Sequence, residues 1–447
     1  MPSLVYVDKT TCPETKKAQR YFALSSLYEV TVFSFLTLFL NECRKNLGWS
    51  SWMSSLSLFL PPFVASIAIF ASSFFVSHHQ SNLRAMRVLT ASSFVLLLAF
   101  GIFGFFMPTG LDASGQVTNS LAYYGLFAFL LVFPSLLMGA HWSFLSFQTS
   151  TFADINHMEH TRFGHISVFG PLVSWIVSPL AGLVAESFFH SYRGYLLLFL
   201  CAAPLLILEF AFTFAFKSYD PASFHDEEDE KTSYRTLFAN KTYLLYLISA
   251  CLWVPSIWAG ESLVSSYWTS LEGAGGALNA FNGFSYGCYL SLSYLLEFLF
   301  LYFNTKVGFG KKAIGAMNLS FALLLFGAAS FGVLSYFFTV PPEDGLYLAI
   351  GIIALHSSKG MANGLYSSTN VCLLSHILGP KHRRKAVFLA PALYQFINAF
   401  LQMSYPFLNQ ARHIAFFVLS GLALVGLILS FVLDIPLLHP SKSKGTH

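Results

Sequence analysis

Trp52-Met-Ser-Ser-Leu-Ser-Leu-Phe-Leu-Pro-Pro-Phe-Val-Ala-Ser-Ile-Ala-Ile-Phe-Ala-Ser-Ser-Phe-Phe-Val76 runs for 25 residues without a charge. About 20 apolar residues cross a bilayer core as a helix, and a helix satisfies its own backbone groups in the absence of water. Val88–Pro108 and Ala386–Asn409 read the same way. A soluble helix needs a polar outer face, and these have none.

Working outward, the sequence divides into twelve such stretches joined by polar links. They lie at 21–41, 52–76, 88–108, 121–150, 166–186, 194–216, 242–268, 280–303, 313–340, 345–376, 386–409 and 413–438. Composition agrees, with 55% hydrophobic and only 10% charged residues. The expectation is an all-α, multi-pass integral membrane protein of 12 transmembrane helices.

The net charge of +4 does not point to nucleic acid, because the basic residues are sorted by side. With an even helix count and both termini cytoplasmic, 20 Lys and Arg fall on inner segments and 4 on outer ones, with Lys359 inside a span. That is the positive-inside pattern, and a miscounted helix would scramble it. The first 20 residues are polar and lack the short apolar core of a secretory signal. The cell or inner membrane is the expected location.

One link is long and polar. Residues 217–241 carry Asp226-Glu-Glu-Asp-Glu230 and separate six spans from six. The expected organisation is therefore a six-helix bundle at 1–216, a cytoplasmic acidic linker at 217–241 and a second six-helix bundle at 242–447. Duplication of this kind puts a solute site between the halves.

Ionisable groups inside spans are costly, about 3 kcal/mol at the bilayer centre, and so mark cavities and ion paths. Lys359 lies 14 residues into its span, roughly 21 Å along the axis. His356, Lys359, Asn363, Ser367 and Asn370 are spaced +3, +4, +4 and +3, which puts them on one helical face. Span 7 aligns Trp258, Glu261, Ser265 and Trp268 likewise, a carboxylate between indoles that stack on and donate to a polar solute. Span 8 aligns Tyr286, Tyr289, Ser293 and Glu297. Span 11 aligns Gln395, Asn398, Gln402 and Asn409, a stripe read as helix-to-helix glue. Glu29 sits about 12 Å inside the inner edge, close to the depth of Lys359. Either Glu29 or Glu261 can alternate between a proton and Lys359, which is what proton coupling requires.

Other chemistries find little support. His157-Met-Glu-His160 lacks the His-Glu-x-x-His spacing of a helical zinc site, and the six cysteines show no metal or redox spacing. No phosphate-binding loop or nucleophile elbow occurs. No metal, cofactor, catalytic residue or nucleic-acid partner is expected.

Two loops carry a family resemblance. Ser81-Asn-Leu-Arg-Ala-Met-Arg-Val and Asn304-Thr-Lys-Val-Gly-Phe-Gly-Lys-Lys resemble the Gly-x3-Asp-Arg-x-Gly-Arg-Arg signature of the major facilitator superfamily, without its acid. Phe163-Gly-His-Ile-Ser-Val-Phe-Gly170 is similar to the Phe-Gly-Arg-x-Arg-x-Phe-Gly segment of the lactose permease and nucleoside–proton symporter branch. His165 and Ser167 replace its two arginines, and Leu355-His356 resembles that branch's Leu-His pair. The resemblance implies two six-helix bundles whose first, fourth, seventh and tenth helices line a cavity. That adds His141 and Trp142 to Glu29, Glu261, His356 and Lys359. It also implies proton-coupled symport of a sugar, oligosaccharide or nucleoside. The expected substrate-binding set is His141, Trp142, Trp258, Trp268, His356 and Asn363, and the proton-coupling set is Glu29, Glu261 and Lys359. A proton-driven exporter, a facilitator, and a non-transporting receptor or assembly factor are the alternatives.

Overall fold

The computed structural model describes residues 51–78, 82–107, 112–125, 128, 168–188, 193–215, 234–271, 283–304, 311–338, 345–378, 380–404 and 411–438. The first span and most of the fourth, with Glu29, His141 and Trp142, lie outside the described residues. Among the described residues the structure is almost entirely helical. The helices are α1 (Ser51–His78), α2 (Asn82–Phe106), α3 (Phe169–Phe188) and α4 (Arg193–Ala215). The short α5 (Tyr234–Ala239) follows, then α6 (Lys241–Leu271), α7 (Gly283–Asn304), α8 (Lys311–Phe337), α9 (Gly345–Ile377), α10 (Pro380–Ser404) and α11 (Arg412–Leu438).

The ten long helices coincide with ten of the expected spans. Several outrun them at polar ends: α2 starts at Asn82 and α10 at Pro380, taking in basic residues that the apolar pattern excludes. A helix need not stop where hydrocarbon stops. Six of the ten hold a window apolar enough to cross a membrane. α9 is not among these six, because His356, Ser357, Ser358 and Lys359 interrupt its apolar run.

Asn240 starts α6, its side-chain oxygen accepting from the Tyr243 amide at 3.1 Å. This N-cap satisfies a donor that the helix leaves unpaired. The linker is therefore partly structured: α5 sits just before the cap, with Leu237 fully buried in the second-half core.

Within the first half, α2 packs on α4. Arg87 fastens them, donating from Nε to Thr213 Oγ1 at 3.3 Å and from Nη2 to the Thr213 carbonyl at 3.1 Å. Its guanidinium also lies 4.0 Å over the Phe214 ring. A cation here meets the negative end of the α4 dipole and its unpaired carbonyls. One basic residue of the first loop signature thus serves inside its own half.

In the second half, α9 packs on α7 and α8, α11 on α8 and α6, and α10 on α6. Trp253 Nε1 donates to Ser320 Oγ at 2.6 Å, and that hydroxyl donates to the Ala362 carbonyl at 2.9 Å. One relay so links α6, α8 and α9, while Trp253 stacks on Tyr366 at 3.7 Å. The halves meet along two seams, α1 against α10 and α3 against α7. Each seam pairs the same helix positions in reversed order (second with eleventh, fifth with eighth), as a two-fold relation between duplicated bundles demands.

Candidate functional site

The polar face of α9 is held in place by two glycines. A Cβ at Gly360 would meet the Ser293 carbonyl carbon of α7 at 2.8 Å and its Cα at 3.0 Å. At Gly364 it would meet the Leu301 amide nitrogen and Phe300 Cβ, both at 2.9 Å. Only residues without a side chain let the backbones approach this closely, the small-xxx-small device of membrane helices. Gly360-Met-Ala-Asn-Gly364 thereby lays the middle of α9 on the stretch of α7 that carries Ser293 and Glu297.

The neighbouring positions then have fixed directions. Ser358 faces α8, where Gly327 leaves room for it. His356 faces α7, its ring edge-on to Tyr286 with centroids 6.3 Å apart. His356 is 1% exposed, as is Tyr286. Lys359 lies a turn from His356, half-buried and next to Gly360. With Ser256, Val264, Gly327 and Leu419, Lys359 and His356 line a cavity of about 20 Å³. That is room for a single water and not for a sugar. Every lining residue belongs to α6, α8, α9 or α11, so this cavity is internal to the second half.

The five-residue stripe divides by function. Ser367 Oγ donates to Asn363 Oδ1 at 3.4 Å, along the helix. Asn370 Oδ1 accepts from the Tyr246 hydroxyl of α6 and joins the buried core there. Asn370 is glue, whereas His356, Lys359 and Asn363 stand nearer the middle of α9. The α10 stripe bonds along its own helix: Gln402 donates to Asn398 at 3.1 Å and Asn398 to Gln395 at 3.4 Å, all three buried. Glu209 is buried at 1% exposure on α4, and Glu297 is half-buried on α7.

Trp258, Glu261 and Trp268 lie on α6 with side chains outside the described residues. The structure thus carries His356, Lys359 and Asn363 on one helix whose backbone packs on α7, with His356 and Lys359 lining one cavity. Sequence reasoning missed Tyr246, Trp253, Ser320 and the two glycines. A Gly-x-x-x-Gly interleaved with a polar stripe was the available signal for the last.

No protein-family model and no curated protein matches the sequence. Solved structures do match over nearly the whole chain. A variant of the nucleoside transporter NupG aligns with a TM-score of 0.64 and 13% identity, over 93% of this chain and 99% of that one. The xylose transporter XylE from E. coli, partially occluded and inward-open, gives 0.65 and 11%, over 94% and 99%. A D-xylose–proton symporter gives 0.64 and 15%, over 94% and 96%. Identity this low speaks for the fold and not the cargo: the chain is a multi-pass membrane protein with the two-bundle, twelve-helix fold of the major facilitator superfamily.

Proposed function

We propose that this protein is a secondary active transporter, not an enzyme, that carries a small polar solute by alternating access as a proton symporter. The observation that carries the reading is the α9 polar face. A lysine and a histidine stand near the middle of a membrane helix, where such groups cost several kcal/mol unless they serve a path. On the same helix, Gly360 and Gly364 hold the backbone against α7 at Ser293 and at Phe300 and Leu301. The solved structures sharing this fold include transporters of nucleosides and of xylose, which favours a sugar- or nucleoside-like cargo.

In this reading the bundles are residues 1–216 and 242–447, the linker is 217–241, and both termini face the cytoplasm. Glu29 or Glu261 takes the proton and Lys359 is its alternating partner. A deprotonated carboxylate attracts the ammonium and a protonated one releases it, so one site has two charge-dependent conformations. His141, Trp142, Trp258, Trp268, His356 and Asn363 contact the solute.

The test is uptake into proteoliposomes from a panel of labelled sugars, oligosaccharides and nucleosides, with an inside-alkaline pH gradient. Accumulation of a panel member that collapses with a protonophore is expected. Binding without movement of any panel member would replace the transporter by a receptor on the same scaffold.

A further inference from the structure

The linker is not a passive tether where the structure describes it. Tyr234, the first residue of α5, reaches both halves. Its hydroxyl is 2.5 Å from Ser73 Oγ on α1. Ser73 donates its own hydrogen to the Phe70 carbonyl at 2.6 Å, so Tyr234 is the donor of the pair. The Tyr234 ring packs on Phe70 of α1 with centroids 5.9 Å apart. The Lys385 ammonium of α10 stands 5.0 Å from the centroid of the same ring. One side chain thus holds α1 of the first half and α10 of the second, at the linker end of their shared seam.

Its position is built, not incidental. Leu237, three residues on, is fully buried in the second-half core, and Asn240 caps α6 immediately after. α5 is thereby pinned to the second half, and Tyr234 is the arm that crosses. Ser73 is 3% exposed, so its oxygen takes the Tyr234 hydrogen out of water's reach.

We propose that α5 is a strap: Tyr234 ties the linker-side ends of α1 and α10 together, and the Ser73 contact breaks whenever those ends part. The strap rests on the alternating-access reading and adds to it a device that weights one closed state. A single hydroxyl bond to Ser73 and one ring contact with Phe70 are weak enough to be made and broken in each cycle. Lys385 stays with α5 on the second half, while Ser73 and Phe70 leave with the first.

Spin labels at Ala71→Cys and Arg384→Cys, in full-length protein whose six native cysteines are replaced by Ser, report the α1–α10 separation in lipid nanodiscs. Tyr234→Ala should shift the ratio of parted to closed ends by about tenfold toward parted. Tyr234→Phe keeps the ring but not the donor and should shift it by about fivefold. Thr236→Ala, an exposed neighbour on the same helix, should not shift it. Distances in Tyr234→Ala identical to those in Thr236→Ala overturn the strap. If Tyr234→Ala does not survive purification, Tyr234→Phe and Lys385→Gln decide by the same comparison. Solute plays no part in this readout. Ends that part in a chain moving no solute would keep the strap and remove the transporter; unmoved ends in a chain that does transport would do the opposite.

Discussion

Gly360→Ala adds one methyl group at the point where the candidate site is assembled. The new Cβ would stand 2.8 Å from the Ser293 carbonyl carbon, while ordinary contacts begin near 3.4 Å. Its neighbours are backbone atoms, so no side-chain rotation relieves the clash. The two helices must separate by roughly half an ångström or more at this level, or α9 must roll. Overpacking of this kind costs about 1–3 kcal/mol. Against it stands the better helix propensity of alanine, worth about 1 kcal/mol.

Two other glycines supply the propensity term alone. A Cβ at Gly421 of α11 or Gly315 of α8 meets nothing within 4 Å. Gly421→Ala and Gly315→Ala should therefore melt at or slightly above the parent in detergent, and Gly360→Ala below both. Displacement of the polar face of α9 relative to α7 should also lower solute flux by about tenfold or more, since positioning errors near 1 Å weigh heavily. The assay is thermal unfolding of the purified variants side by side, followed by flux in proteoliposomes. If Gly360→Ala melts with Gly421→Ala, the close approach of α7 and α9 is not what holds the site.

Lys359→Ala should abolish uptake and leave an inserted, folded protein, because removing a cavity-lining charge opens no large void; loss of the folded protein in detergent would make Lys359 a structural partner instead. Glu29→Gln, or failing it Glu261→Gln, should lose pH-driven accumulation but keep solute exchange, which needs no net proton movement. Wild-type pH dependence in both would put the proton elsewhere. Ser291→Ala should destabilise the α3–α7 seam by about 1 kcal/mol and Ser291→Thr much less, read by thermal unfolding; equal melting of the two would remove the hydroxyl from the account. Single cysteines at Ser3 and Asp229, in a cysteine-free chain, should resist impermeant thiol reagents in intact cells, and labelling of either without permeabilisation would invert the topology.

The helices were legible because bilayer thickness and backbone satisfaction impose one long apolar period, and Trp52–Val76 or Ala386–Asn409 can be nothing else. Their ends were less so: Lys381–Lys385 looks like a loop by polarity, yet it is the first turn and more of α10. Hydropathy registers where hydrocarbon stops, not where backbone hydrogen bonding does. The α9 stripe was legible as a face, since spacing encodes direction. Its division was not. Asn370 and Asn363 are the same residue type on the same face, and only the position of Tyr246, 124 residues away, makes the first of them glue. The linker's acidic run announced a solvated tether and concealed α5, whose one buried leucine and one tyrosine are too few to make a pattern.

The two seams and the interior of the second half are held by different chemistry, and the difference bears on motion. At α3–α7, Pro179 lacks the amide that would bond the Trp175 carbonyl, and Ser291 of α7 donates to that carbonyl at 2.7 Å instead. Gly287 lies beside the same proline, where a Cβ would meet Pro179 Cα at 3.0 Å. At α1–α10, Ser66 donates to the Ala392 carbonyl at 2.7 Å, beside Pro391, and Phe63 and Phe59 rest on Phe396 and Phe400. At each seam a serine hydroxyl crosses near a proline that already disrupts its helix. Such a bond contributes about 1 kcal/mol between membrane helices, and lipid-facing aromatics lose little by sliding. Inside the second half, by contrast, Trp253, Ser320 and the Ala362 carbonyl form one buried relay across three helices, Tyr366 stacks on Trp253, and α7 and α9 interlock through Gly360 and Gly364. Breaking that relay would strand several polar groups away from water at about 1–3 kcal/mol each. In the alternating access proposed above, the seams should therefore give and the relay should not, so that Lys359 and His356 travel with their bundle as one body.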